Sequence, residues 1–179
     1  MHTELTFFES GLQLIKGNGD LRLAIGELIQ LAAEDGNSGA GSLFIADWHE
    51  QVLKPLVTYG LPKTYVLACG VVRIGDQCCG RAVQHRKPWI VSDMLADPLF
   101  SSARDAALCS PVRAAFSVPV IAKSGECFGS LACHYSEIHT ASREEIDSNK
   151  TWAAMIAHTM SQYKAAGLAH PALGIPVAS

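Results

Sequence analysis

RAAFSVPVIAKSGECFGSLACHYS, residues 113–136, is the stretch on which the fold turns. Two runs rich in β-branched and aromatic residues flank Lys123-Ser124-Gly125, so the segment reads as a β-hairpin. Side chains alternate across a strand, which divides each run into two sets. Phe116, Val118 and Val120, with Leu131, Cys133 and Tyr135, are bulky and suit packing beneath helices. Ala115, Ser117 and Pro119, with Ser130, Ala132 and His134, are small or polar. That lean face is either solvated or the floor of a pocket.

Working outward, SLFIAD and QVLKPLVTYG are a second pair of strands, joined near His49-Glu50-Gln51 and expected to pair antiparallel. Before them, LRLAIGELIQLAAE is a helix with Asp20 as N-cap, ending at Gly36, where a residue tolerant of positive φ is expected. Leu5, Phe8, Leu12 and Ile15 fall on one stripe of a shorter amphipathic helix over residues 1–19. Between the two hairpins the period breaks up. LPKTYVLAC gives a helical turn, VVRIG a strand, CCGRAVQHRK a short helix, WIVS a strand and ARDAALC another short helix, halted by Pro111. Ser142-Arg-Glu-Glu145 is a capping box opening a long helix with Ile146, Ala153, Ile156, Met160 and Tyr163 on one side. Residues 167–179 read as a flexible tail, leaving 20–166 as one α+β domain with helices over one face of its sheet. The short central helices would then lie over the lean face and enclose a cavity.

With 179 residues the chain supports one well-filled core. A net charge of -3 and 17% charged residues offer no broad attraction for a phosphate backbone, so nucleic acid is not an expected partner. No apolar run is long enough to span a membrane, and the acidic N-terminal stretch lacks the features of a signal peptide. A soluble cytoplasmic protein is expected. In that compartment the six cysteines are free thiols. Cys127-x5-Cys133-His134 does not have zinc spacing, and no metal site is expected. No effector segment follows the last helix, and Met1 with the tail points to an entire product that signals by contact.

The run CGRAVQHRKPWIVSDMLADPLF, followed by RAAFSVPVIAKSGECFGSLACHY and TASREEID, resembles bacterial GAF domains in the order of its motifs, over roughly Leu21 to His158. The resemblance implies a six-stranded, PAS-like antiparallel sheet, terminal helices on one face, a small-molecule pocket on the other, and a homodimer formed through those helices. Family members bind cyclic nucleotides, haem, bilins, nitrate or other small molecules, and many serve only as dimerising modules; for this chain a signalling partner protein is expected to read the signal by contact. The pocket would be lined by Cys79, Arg81, Cys109, Ala115, Ser117, Ala132 and His134, with Arg81 as the charge partner for an anion. Neither haem nor bilin is supported: a pocket-facing histidine such as His134 is more often a hydrogen-bonded group than a haem or metal ligand, and the Cys133-His134 pair that would attach a bilin lies in a strand with Cys133 directed away from the cavity. No other cofactor is evident.

The free methionine-(R)-sulfoxide reductases share this fold and use three cysteines. Cys69 and Cys79 stand in LAC and CCG contexts resembling that family's first two, and Cys109 precedes the S-V-P strand near the place of the catalytic thiol. Arg81 or Arg113 would be the cation that activates a thiolate. Against this, Ala115, Ala132 and His134 stand where that family holds its substrate's amino group with carboxylates. A sensor is therefore the main reading, and a reductase or thiol-based redox sensor the alternative.

Overall fold

The computed structural model describes residues 21–98, 100, 104–108 and 110–165. The expected helix over 1–19, its Asp20 neighbour, the tail over 167–179 and Cys109 lie outside these residues.

Helix α1, Leu21–Asp35, buries Leu21, Ile25, Leu28, Ile29 and Ala32, the three-and-four spacing of one helical face. Its end departs from expectation: Asn37, not Gly36, takes the left-handed conformation, with φ 49°. Gly36 serves packing instead. A Cβ there would press on Ala32 O, Asn149 and the Cys133 sulfur, all within 3.3 Å. Ser38 N–H reaches Ala33 O at 2.9 Å and closes the helix in a Schellman-like turn.

Strands β1 (Ala40–Asp47) and β2 (Val52–Tyr59) form the first hairpin. The chain then runs through α2 (Lys63–Ala68), β3 (Val72–Arg73), α3 (Gln77–His85), β4 (Trp89–Val91) and α4 (Arg104–Leu108). Strands β5 (Ala114–Ile121) and β6 (Cys127–Tyr135) make the second hairpin, and α5 (Arg143–Ala165) follows. All six strands share one antiparallel sheet in the order β3-β2-β1-β6-β5-β4, so the two hairpins meet along β1 and β6.

The bulky sets go to one side. Phe116, Val118, Val120, Leu131, Cys133 and Tyr135 join Leu43, Ile25, Ile29, Ile156 and Met160 in the main core beneath α1 and α5. Helix α5 opens on the capping box: Glu145 N–H donates to Ser142 Oγ at 3.2 Å and Ser142 N–H to Glu145 Oε2 at 2.7 Å. The opposite side carries two smaller apolar clusters, one around Tyr65, Met94 and Phe100, the other around Phe44, Leu53 and Val83. The irregular segments therefore cover the lean face. Among the described residues, no helix is long and apolar enough to cross a membrane.

Candidate ligand pocket

Helix α3 fixes one wall. Asp76 caps it by accepting from Gln77 N–H at 2.8 Å, and Gly80 lets it settle on the backbone of β3, where a Cβ would collide with Arg73 O. This places Cys78 and Cys79 over β5. Cys78 Sγ donates to Trp89 O at 3.3 Å and Ala115 O at 3.5 Å, and Ser117 Oγ donates to Cys79 Sγ at 3.5 Å.

Between α2, α3 and the central strands lies an almost wholly apolar cleft of about 390 Å³ counted to its open side, lined by Phe44, Leu61, Tyr65, Cys69, Gln77, Cys78, Cys79, Met94, Phe100, Ala115 and His134 among others. Only about 20 Å³ of it is space that a water can enter, room for one such molecule. Its cover is lightly held. Helix α2 has no side-chain N-cap and buries only Tyr65, while Leu67 on the same helix is 82% exposed.

His134 forms part of the floor, paired with Ala40 on β1 and Ala115 on β5. Its Nε2 lies 2.9 Å from Ser42 Oγ, its ring meets Tyr65 edge-on at 6.0 Å, and its Nδ1 is buried without a hydrogen-bond partner among the described residues. Burial pushes the imidazole down from 6.5 to about 4, so it is neutral at physiological pH. The same desolvation raises Cys69 to about 11 and lifts Cys78 and Cys79. These thiols are not poised as thiolates.

Of the residues expected in the pocket, Cys79, Ala115 and His134 line it together, and Cys69 joins them. Ser117 and Ala132 share the face, at paired positions of β5 and β6, but lie outside the lining. Arg81 is also outside it. Its guanidinium pairs with Asp97 at 2.8 Å and donates to Gln77 O at 2.5 Å, and the side chain is 5% exposed. Arg113 is held by Asp93 through two bonds of 2.6 and 2.8 Å, and this partner keeps the Asp93 carboxyl down at about 2. Both cations thus have carboxylate partners at these sites.

Sequence reasoning missed Ser42, Phe44, Tyr65, Gln77 and Met94. The first two were within reach of the alternation argument, because Leu43 and Ile45 on the same strand point into the main core. Trp48 and Trp89 do not line the cleft. Trp48 donates to Cys127 O at 3.1 Å, and Trp89 stacks on His85 at 5.0 Å. No group of three potential metal ligands converges among the described residues.

A single antiparallel sheet with long helices on one face and a covered cleft on the other is the architecture of PAS-like α+β domains. The chain belongs to the GAF domain family, whose profile matches residues 20–161. The GAF domain from a phosphoenolpyruvate-protein phosphotransferase of Coxiella burnetii superposes with a TM-score of 0.70 at 21% identity, covering 92% of this chain and 96% of that one. A free methionine-R-sulfoxide reductase from Neisseria meningitidis, in complex with its substrate, gives 0.70 at 17% identity over 89% of each chain. A putative GAF sensor protein from Burkholderia vietnamiensis gives 0.68 at 21%, covering 88% and 93%. No curated protein matches the sequence. At these identities the solved structures speak to fold alone.

Proposed function

We propose that this protein is a small-molecule-sensing or regulatory GAF module of bacterial signal transduction, acting through ligand binding and protein contact. The observation that carries the reading is the covered apolar cleft on the lean face of the sheet, floored by a buried histidine with an unused ring nitrogen. A ligand larger than water enters as the α2 segment moves away, and that movement is the signal a partner reads. Homodimerisation through the terminal helices belongs to the same proposal. It is supported by Trp152, Met155 and Tyr163, which remain partly accessible along α5.

The alternative, reduction of free methionine sulfoxide, needs an activated thiol. Cys69 and Cys79 are buried with raised pKa values, and the nearest expected activators, Arg81 and Arg113, are engaged by Asp97 and Asp93. Two measurements decide between the readings. Native mass spectrometry of the purified protein should reveal a retained small molecule or a dimer. Turnover of free methionine-(R)-sulfoxide with thioredoxin recycling, lost in Cys109→Ser, would replace the sensor reading with the enzyme, whereas absence of turnover removes the enzyme.

A further inference from the structure

The geometry assigns the cleft, if read as a ligand pocket as above, to an uncharged and largely apolar molecule that carries one hydrogen-bond acceptor, a carbonyl oxygen or an unprotonated ring nitrogen, received by Nδ1–H of His134.

Ser42 is fully buried, and among the described residues its hydroxyl has one partner, His134 Nε2 at 2.9 Å. Suppose Nε2 carried the ring proton and donated to Ser42. The hydroxyl proton would then have no acceptor, and Nδ1 would be a second idle group, a bare lone pair. With the proton on Nδ1, the hydroxyl donates to Nε2 and only the Nδ1–H is left over. A neutral imidazole in this surrounding therefore takes the Nδ1–H form, because the hydrogen bond at one ring nitrogen sets the state of the other. His134 is 6% exposed, and among the described residues its Nδ1 has no partner. A buried donor in this condition favours any occupant able to accept from it.

The rest of the lining selects against charge. Phe44, Leu61, Met94, Phe100 and Ala115 offer only hydrocarbon or thioether, and among the described residues no Lys, Arg, Asp or Glu lines the cleft. The nearby Arg81 and Asp97 already neutralise one another. Gln77 also lines the cleft, on a backbone held at φ 49°, an unusual conformation for a residue other than glycine. An anion or cation entering here would lose its water without a counter-charge.

Four probes of one ring size test this: cyclohexanone, methylcyclohexane, cyclohexanecarboxylate and protonated cyclohexylamine. Long-range proton–nitrogen NMR of the histidine-labelled full chain reads the His134 tautomer, and titration of each probe reads its dissociation constant. The expected result is an Nδ1-protonated ring. Cyclohexanone should shift that nitrogen and bind about 10-fold more tightly than methylcyclohexane, with both ions weaker still. In Ser42→Ala, which loses the hydroxyl that fixes the tautomer but keeps a small side chain, the preference for the ketone should shrink to about 2-fold or less. An Nε2-protonated ring, or equal binding of ketone and hydrocarbon at this cleft, overturns the inference and leaves the pocket reading standing. If none of the four probes perturbs Cys79, Ala115 or His134, the pocket reading itself falls.

Discussion

Acid should weaken this fold through one side chain before its carboxylates respond. His134 is held at about 4 by burial, against an ordinary value of 6.5 that it regains on unfolding. Its folded pKa is depressed, so between these values the unfolded chain takes up a proton that the native protein refuses. Stability is therefore complete above about pH 6.5 and falls as the pH drops towards 4. Weighing proton binding in the two states gives a loss of about 2 kcal/mol between pH 7 and pH 5, and about 3 kcal/mol once both states are protonated. Asp93, Glu145 and Asp147 also have lowered pKa values, and they add to the decline mainly below pH 5, about where free carboxyls begin to protonate. The upper window thus isolates the histidine. Urea unfolding of the wild type and of the double variant Ser42→Ala/His134→Phe at pH 7, 6 and 5 measures the effect. The variant keeps every carboxylate and the other histidines, so the difference in slope belongs to His134. Equal slopes in the two proteins would refute the reasoning.

Other perturbations follow from the packing. Gly80→Ala pushes a methyl group into the Arg73 carbonyl and should cost about 2 kcal/mol in urea unfolding, with α3 displaced from the cleft. Asp97→Asn leaves the Arg81 guanidinium buried without its counter-charge, and a loss of about 3 kcal/mol is expected by the same measurement. Ser142→Ala removes the cap of α5 and should lower stability by about 1 kcal/mol. The thiols of Cys69, Cys78, Cys79, Cys127 and Cys133 are all buried, so their reaction with an aromatic disulfide reagent should follow unfolding, and fast labelling of the native protein at these positions would contradict the description.

Strand alternation was enough to divide the second hairpin correctly, because one face of that hairpin is built from large side chains and the other from small ones. The capping box at Ser142 was legible for a similar reason: it needs only four consecutive residues. The upper wall of the cleft was not. Tyr65 comes from α2 and Met94 and Phe100 from the β4–α4 stretch, two segments whose meeting depends on how they stack with α3, and no period of the chain encodes that. Arg81 shows the same limit. A cation near a small-residue face reads as an anion site, but its carboxylate partner stands sixteen residues further on in a turn, where only tertiary structure brings it within reach. At Gly36 a local rule met a packing demand. The glycine was needed for close approach, and the neighbouring Asn37 took the left-handed turn.

The junction of β1 with β6 has a bearing on how the molecule is made. Each hairpin closes over a handful of residues, yet the ladder that unites them joins Ile45 to Gly129 and Ala40 to His134, partners separated by most of the domain. Closing so long a loop costs chain entropy before any contact repays it, so local pairings form first and the central seam last. Refolding should accordingly be slower than that of a helical bundle of equal length. The histidine floor would come into being only at that final step, when the two halves of the sheet zip together.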